Sequence, residues 1–395
     1  MLYNRKIKDD LIYVGVSDRV KPIFEGAYPV PNGMSYNAYL MLDEKCALFD
    51  AVDSSLASEF LDNLRRGLGE RKLDYIIVSH MEPDHSGTLG ILLEAYPEAA
   101  VVCSAKAKSM IAQFLGFEPK CVSVVKDGDI LSLGAHSLKF IAAPMVHWPE
   151  VMVTFDMTSG TLFSADAFGT FGALDGRLFA DEVDFERDHI DAARRYYTNI
   201  VGKYGVPVKT LLNKVSGLDV KMVCPLHGYV WRENIGYFVN KYLHWAEYRP
   251  EEEGVCICYA SIYGNTEAVA RAVNARLSER GIGSVLVDLT HEHYSVGIAN
   301  CFKYSPAIMA SITYNGTVFT PMRTFLNEYV EHGIRGRKIG LIENGTWAIT
   351  AGEKMRHILA ACPDTTVIDK VISIKSSADA SIAEQIDDFI DEIMS

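Results

Sequence analysis

The 395-residue sequence lacks the features of a membrane, nucleic-acid-binding or iron–sulfur protein. It has no apolar run approaching the ~20 residues needed to cross a bilayer. Its first ten residues, MLYNRKIKDD, contain no apolar h-region, so we expect no secretory signal. Its net charge is −13, which argues against a nucleic-acid substrate because phosphate backbones attract basic surfaces. None of its eight cysteines forms a C-x-x-C pair, which argues against rubredoxin, zinc-finger and ferredoxin sites. We therefore expect a cytoplasmic protein with reduced core cysteines that binds neither membrane nor nucleic acid.

What is present is typical of a globular chain of two or three domains. Hydrophobic residues make up 49% and charged residues 23% of the sequence, so each domain has enough apolar surface for a core. The clearest boundary is the polar stretch at 245–254, which combines a proline, a charge run and a glycine. The sequence predicts domains at 1–250 and 254–395.

The two predicted domains differ in their hydrophobic pattern. The first has strand patterns with fewer helices, which predicts an α+β arrangement with helices outside packed sheets. Its predicted strands are 37–42, 47–49, 73–78, 138–142, 151–155 and 161–164, and its predicted helices are 89–96, 187–203 and 232–245.

The second domain alternates short apolar strands with helices, which predicts a doubly wound parallel sheet. Its predicted strands are 255–260, 284–288, 306–312, 338–342 and 365–371, and its predicted helices are 266–280, 320–332, 352–361 and 379–393. Ligands of such sheets bind at the carboxyl ends of the strands, so the loops there are the places to search.

A cluster of metal-ligating residues follows the strand that ends at Val78. Four ligand types occur within six residues, and three more residues each lie just past another predicted strand or apolar segment. The set comprises His80, Glu82, Asp84, His85, His147, Asp166 and His227. Asp166 is suited to bridge two metals because a carboxylate has two oxygens. A mixed histidine and carboxylate set favours iron or manganese, whereas an all-histidine set favours zinc.

Three loops at strand ends of the second domain predict a mononucleotide site. The first is a hydroxyl- and glycine-rich turn before a helix, where backbone N–H groups are able to hold a phosphate. It has no G-x-G-x-x-G spacing, which disfavours a dinucleotide, and by itself it is equally well explained as a helix cap. The other two loops offer aromatic walls for a flat ring. The candidate residues are Ser261, Ile262, Tyr263, Gly264, Asn265 and Thr266, then Thr313, Tyr314, Asn315 and Gly316, then Asn344, Gly345, Thr346 and Trp347.

These motifs resemble those of a known family. The first domain resembles the metallo-β-lactamase fold, whose hydrolases carry H-x-H-x-D-H and zinc, but here Glu82 replaces the second histidine. With the spacing to His147, Asp166 and His227, the chain is similar to the flavodiiron proteins, or A-type flavoproteins. The implied fold is an α+β metallo-β-lactamase-like αββα domain followed by an α/β flavodoxin-like doubly wound parallel sheet. Because the chain ends after the flavodoxin-like part, we expect the minimal two-domain class.

The resemblance also implies an activity and its cofactors. FMN would feed a non-haem diiron site that reduces O2 to water, NO to N2O, or both. His80, Glu82 and His147 would hold one iron, and Asp84, His85 and His227 the other, with Asp166 bridging. The family has members in which the histidine at the position of His85 is not a ligand, so its coordination stays open.

The implied partners are a rubredoxin-like electron donor and a second copy of the chain in a head-to-tail homodimer, with a dimer of dimers as a larger assembly. Two other interpretations remain. One is a zinc-dependent hydrolase fused to a flavodoxin-like module, against which Glu82 counts. The other is a non-catalytic electron carrier whose first domain is a scaffold.

Overall fold

The computed structural model describes residues 4–379 and 381–395. These residues form two compact units. The first unit comprises residues up to 197 together with 206–243, and the second comprises 198–205 together with residues from 244 onwards. Within the described ranges, no helix is both long enough and apolar enough to cross a membrane.

The first unit contains two large sheets. Its strands are β1 (Arg5–Lys6), β2 (Leu11–Tyr13), β3 (Val16–Asp18), β4 (Ile23–Phe24), β5 (Tyr28–Pro29), β6 (Met34–Tyr36), β7 (Tyr39–Met41), β8 (Ala47–Phe49), β9 (Tyr75–Val78), β10 (Ala100–Ser104), β11 (Val122–Val125), β12 (Ile130–Ser132), β13 (Ser137–Ala142), β14 (Met152–Asp156), β15 (Thr161–Phe163) and β16 (Met222–Cys224). One sheet has the order β1-β2-β7-β8-β9-β10-β11 and the other the order β12-β13-β14-β15-β16. Two small hairpin pairs, β3 with β6 and β4 with β5, complete the unit.

Aromatic side chains join the two sheets face to face. The ring of Phe49 on β8 stacks on that of Phe163 on β15, with centroids 3.6 Å apart and an interplanar angle of 10°. Both residues are buried. Each sheet therefore buries one face against the other, which is the packing of a two-sheet sandwich.

Helices lie along the chain between these strands. Those up to residue 246 are α1 (Ala57–Leu68), α2 (Pro83–Ser86), α3 (Leu89–Ala95), α4 (Ala105–Leu115), α5 (Phe185–Asp188), α6 (Ile190–Tyr196), α7 (Gly205–Val215) and α8 (Ile235–Ala246). Helix α1 buries Phe60, Leu64 and Leu68, which recur every four residues on one face. A Cβ at Gly67 of α1 would lie 2.9 Å from the Leu40 side chain of β7, so glycine allows the helix to pack closely on that sheet.

The second unit is a parallel sheet with helices between its strands. Its strands are β17 (Glu252–Ala260), β18 (Ser284–Asp288), β19 (Tyr304–Tyr314), β20 (Thr317–Val318), β21 (Lys338–Asn344) and β22 (Thr366–Ile374), and its helices are α9 (Asn265–Glu279), α10 (Tyr294–Lys303), α11 (Thr320–Glu331), α12 (Ala351–Leu359) and α13 (Ile382–Met394). The order β18-β17-β19-β21-β22 is the 2-1-3-4-5 order of flavodoxin-like sheets, and short β20 pairs antiparallel with β19. The predicted doubly wound parallel sheet is confirmed.

The central strand β17 shows how the sequence builds this core. Alternate residues of a strand point to opposite faces. Val255, Ile257 and Tyr259 belong to a buried cluster with side chains of α9 and α13. Cys256 and Cys258 point to the other face, where α10 contacts the sheet. Both faces of the strand are buried, as its nearly continuous apolar sequence requires.

Several elements differ from the prediction. The segment between β18 and β19 was predicted without a helix, but it contains α10. The predicted helix 187–203 is wrong as a single helix: it breaks at His189, restarts at Ile190 and passes into a π-turn at Tyr197–Val201. The strands before residue 37 are only two or three residues long, too short for a periodic signal. The predicted helix 379–393 corresponds to α13, and its residue 380 lies outside the described residues.

Candidate metal centre and nucleotide pocket

The loop after β9 places the first four candidate ligands. β9 ends at Val78, and Pro83 then begins the one-turn helix α2. The carboxylate of buried Asp50 accepts the backbone N–H of Ser79 at 2.7 Å and that of His80 at 3.4 Å. These bonds hold the loop where it leaves the strand, so that side chains two residues apart point to one centre.

Four side chains form a first cluster. The ligand atoms of His80, Glu82, His147 and Asp166 all lie within 4.8 Å of one another. Glu82 Oε2 lies 3.1 Å from Nε2 of His80 and 3.1 Å from Nε2 of His147. Asp166 Oδ2 lies 3.1 Å from Nε2 of His147 and 3.6 Å from Nε2 of His80. Two imidazoles and two carboxylates therefore face one point.

Three further side chains form a second cluster beside the first. Asp84 Oδ2 lies 3.2 Å from Nε2 of both His85 and His227, and the two Nε2 atoms are 3.0 Å apart. The other oxygen of Asp166, Oδ1, lies 3.1 Å from Nε2 of His85 and 3.9 Å from that of His227. Asp166 thus directs one oxygen to each cluster, and all seven predicted ligands are brought together.

Two residues outside the predicted set orient the histidines. Nδ1 of His80 donates to Glu150 Oε1 at 2.8 Å, and Nδ1 of His227 donates to the backbone oxygen of Ser35 at 2.6 Å. Because a carboxylate or carbonyl only accepts, each Nδ1 carries the proton and Nε2 is left to bind a metal. Nδ1 of His85 has no hydrogen-bond partner among the described residues. His85 is therefore the least oriented of these three rings.

The donor set fits two metal cations. An imidazole that carries its proton on Nδ1 offers a lone pair at Nε2, and the Nε2 atoms of His80 and His227 face a carboxylate oxygen and another imidazole nitrogen, respectively. Among the described residues, both oxygens of Asp84 and Oδ1 of Asp166 are buried without a hydrogen-bond partner. Buried lone pairs and negative charge that converge in this way are stabilised by cations.

The charges in the cluster shift the protonation equilibria strongly. Burial lowers the pKa of His147, but hydrogen bonds to Asp166 and Glu82 outweigh it and raise that pKa to about 9. Burial opposes ionisation of Asp166, but the charge of His85 and the hydrogen bond from His147 hold its pKa well below its usual range. The Asp166 carboxylate therefore stays ionised at neutral pH and favours positive charge beside it.

A cavity of about 330 Å³ opens on this cluster. Its lining includes Glu82 and Asp84 together with Phe24 and Glu25 of the β4–β5 hairpin. The ring of Phe24 also packs edge-on against His227, with centroids 5.4 Å apart. The cavity offers a small molecule a path to the carboxylate side of both clusters. The hairpin strands are too short to have been predicted from the sequence.

The second unit contains a cavity of about 640 Å³ at the carboxyl ends of β17, β19 and β21. Thirteen of the fourteen predicted nucleotide-site residues line it, namely Ser261, Ile262, Tyr263, Asn265, Thr266, Thr313, Tyr314, Asn315, Gly316, Asn344, Gly345, Thr346 and Trp347. Gly264 is not in the lining but sits at the N-cap of α9 with φ +86°. The lining also includes Ile312, Phe319, Ala348 and Ser376, which the sequence analysis missed because they flank the motifs or follow β22.

This cavity has the chemistry of a mononucleotide site. Helix α9 begins at Asn265 without a side-chain cap, so N–H groups of its first turn remain for an anion. The rings of Tyr263 and Trp347 beside it are 89% and 92% exposed. Two exposed aromatic rings beside one cavity offer faces on which a flat ring is able to stack. A phosphate at the helix end and a planar ring between the loops fit both features.

Comparisons with known proteins agree with these two sites. Residues 34–228 match the ODP family beta lactamase profile, and residues 257–343 match the flavodoxin profile. The chain is 31% identical over 356 residues to the anaerobic nitric oxide reductase flavorubredoxin of Klebsiella pneumoniae subsp. pneumoniae, covering 88% of this chain and 73% of that protein. The Vibrio vulnificus protein of the same name is 30% identical over 86% of this chain and 70% of its own length. The chain belongs to the flavodiiron protein family.

Solved structures of flavodiiron proteins match along the whole chain. Rubredoxin oxygen:oxidoreductase from Desulfovibrio gigas has a TM-score of 0.93 at 27% identity, with 99% of this chain and 97% of that chain covered. The flavodiiron protein from Giardia intestinalis has a TM-score of 0.94 at 25% identity, with 100% and 97% covered. The predicted fold class, a metallo-β-lactamase-like part followed by a flavodoxin-like part, is confirmed.

Proposed function

We propose that this flavodiiron protein is an oxidoreductase that reduces O2 to water, NO to N2O, or both, with FMN and two non-haem irons. The observation that carries the proposal is Asp166, whose two carboxylate oxygens face two separate histidine–carboxylate clusters. Mixed nitrogen and oxygen donors suit redox-active iron. Relatives named for nitric oxide reduction and a structural neighbour named for oxygen reduction support the same reaction class.

The proposed ligand assignment follows the two clusters. His80, Glu82 and His147 would hold one iron, Asp84, His85 and His227 would hold the other, and Asp166 would bridge them. Glu150 and Ser35 are positioning residues, since they fix the Nδ1 protons of His80 and His227. Nδ1 of His85 has no such partner among the described residues, so the orientation of its ring is less fixed than that of His80 or His227.

The FMN assignment follows the three loops. Ser261 to Thr266 would hold the phosphate at the start of α9, and residues 313–316 and 344–347 would flank the flavin ring. When bound, FMN would supply electron transfer from a donor protein, and the iron pair would supply the reduction of the gas. The protein holds the metal-ligating side chains in place before the gas binds, so that little reorganisation of the site is needed during the reaction.

The proposed partners are a rubredoxin-like electron donor and a second copy of the chain in a head-to-tail homodimer. Relatives with flavorubredoxin or rubredoxin in their names support the donor class. We place the protein in the cytoplasm because all eight cysteines are free thiols, as expected in a reducing compartment. We also propose 1–250 and 254–395 as the domain limits.

The test is gas consumption by the reduced protein, with O2 and NO measured separately on one preparation with one electron donor. Asp166→Asn, which removes the bridging charge, should abolish both activities while FMN still cycles between its redox states. Asp219→Asn is the matched control, because Asp219 is exposed and its carboxylate forms a surface ion pair with Lys221 at 3.2 Å.

If the Asp166→Asn variant turned over both gases at the wild-type rate, the metal assignment would be refuted. About two zinc ions per chain with no turnover would instead favour the zinc-dependent hydrolase.

A further inference from the structure

Three cysteine thiols meet inside the second unit, away from the nucleotide cavity lining. Cys256 and Cys258 lie two residues apart on β17 and share one face of the strand, and Cys301 lies in the last turn of α10. Sγ of Cys256 is 3.6 Å from Sγ of Cys258 and 3.8 Å from Sγ of Cys301. All three residues are 0% exposed. The proposed reaction uses none of them.

A glycine brings the helix close to these sulfurs. Gly297 lies one turn before Cys301 on α10, and a Cβ at this position would be 3.4 Å from Sγ of Cys258 and 2.7 Å from the ring of Phe325. Because the glycine has no side chain, α10 approaches β17 closely enough for the Cys301 sulfur to contact the strand cysteines.

A buried cation, Arg337, lies beside the cluster, and no ion pair joins it to a carboxylate among the described residues. Arg337 is 2% exposed, and its Nε donates to the backbone oxygen of Cys301 at 2.9 Å. Its Nη1 donates to the backbone oxygen of Tyr248 at 2.6 Å, whereas its Nη2 has no hydrogen-bond partner among the described residues. An unpaired buried charge is costly, so a negative charge on the neighbouring sulfurs would stabilise the arginine.

Thiolates at these positions would supply such a charge. The three Sγ atoms all lie within 4.8 Å of one another, and a thiolate is the form of cysteine that binds metals.

We propose that Cys256, Cys258 and Cys301 form a binding site for one Cu(I) ion. Thiolate donors select soft metals such as Cu(I) and zinc. Zinc in structural sites takes four ligands and iron–sulfur clusters take four cysteines, but this group holds three donors and no fourth His, Cys, Asp or Glu in the part of the chain that the structure describes. Cu(I) forms stable complexes with three sulfur ligands in a trigonal plane.

The sulfurs bind Cu(I) as thiolates, so binding releases their protons. One Cu(I) with three thiolates carries a net charge of −2, and the guanidinium of Arg337, which is held against the backbone of Cys301, offsets part of that charge. The Cu(I) affinity should therefore weaken as the pH falls.

The test uses the reduced protein with its iron and FMN in place. Cu(I) is titrated under anaerobic conditions against a chromophoric Cu(I) chelator, and the copper environment is read by X-ray absorption. We expect one Cu(I) per chain, with sulfur neighbours alone. Copper at the histidine–carboxylate clusters would show nitrogen and oxygen neighbours instead. Because the sulfurs are buried, a second sample is loaded during synthesis in copper-supplemented cells.

Matched variants separate the cluster from other thiols. Cys258→Ala should lower the Cu(I) affinity at least about 100-fold, since even changes outside the ligand set cost 10–100-fold. Cys362→Ala should leave it unchanged, because Cys362 is buried in the same unit but lies outside the cluster. FMN content and the unfolding midpoint without copper show that each variant is folded, and Cys301→Ser replaces Cys258→Ala if that variant does not fold.

Two results would overturn the proposal. One is copper well below one per chain after both loading routes. The other is Cu(I) affinity in the folded cluster variant equal to that of the wild type.

Discussion

Glu150 is the residue whose removal tests the orientation of the metal ligands most sharply. Its Oε1 accepts two hydrogen bonds of 2.8 Å, one from Nδ1 of His80 and one from the backbone N–H of Met81. The carboxylate side chain is 0% exposed, so water does not replace it. Glu150→Ala should release the imidazole of His80 and disturb the loop that carries Glu82.

The magnitude follows from the role of such partners in metal sites. Removing a hydrogen-bond partner of a ligating histidine typically costs 10–100-fold in metal affinity, which corresponds to about 1.4–2.7 kcal/mol. We expect Glu150→Ala to lower the metal affinity by an amount near the upper end of this range. Glu150→Gln should fall near 10-fold, because its amide oxygen still accepts from Nδ1 but carries no charge.

The assay is anaerobic titration of metal-free protein with Fe(II) against a competing chelator. Glu98→Gln is the matched control, since Glu98 is exposed on the same unit. The iron held by His80 should weaken more than the iron held by His227, whose Nδ1 is bound by Ser35. Unchanged affinity in Glu150→Ala, or loss confined to the second iron, would refute the reasoning.

Three further predictions concern packing, the nucleotide loop and pH. Phe49→Ala removes the stacked pair between the two sheets and should lower the free energy of unfolding by about 3–5 kcal/mol in urea titrations. Gly264→Val puts a branched side chain at φ +86°, costing about 1–2 kcal/mol of backbone strain, so FMN should bind about 5- to 30-fold more weakly in a flavin fluorescence titration. Burial lowers the pKa of His136, but hydrogen bonds to Asp156 and Asp10 outweigh it and raise that pKa above 6.5. Protonated His136 therefore stabilises the fold fully below pH 6.5, and this stabilisation is lost as the pH rises through the folded-state pKa of His136. In the His136→Gln variant, the urea midpoint of unfolding should depend less on pH over that range.

Much of the candidate site was accessible from the sequence because its residues follow strands. His80 follows β9 in one sheet, whereas His147 and Asp166 follow β13 and β15 in the other, and the sequence predicted each of them just past the carboxyl end of a strand without knowledge of the sheet order. The same logic placed three nucleotide loops around one cavity, since β17, β19 and β21 are neighbours in a parallel sheet.

Other features were not accessible because they depend on contacts distant in sequence. Glu150 lies 70 residues from His80, and a single buried glutamate has no local signature. The β4–β5 hairpin that lines the metal-site cavity has two-residue strands, too short for a periodic pattern. The cysteine cluster joins β17 to α10, a helix that the sequence analysis did not predict.

The central claim is that two irons bridged by Asp166 carry out the gas reaction. The most direct measurement is the turnover of O2 and of NO against the iron content of one preparation, varied by partial removal of the metal. The account predicts that turnover rises with iron and reaches its maximum at two irons per chain. Full turnover after the iron has been removed, or no turnover of either gas at two irons per chain, would contradict it.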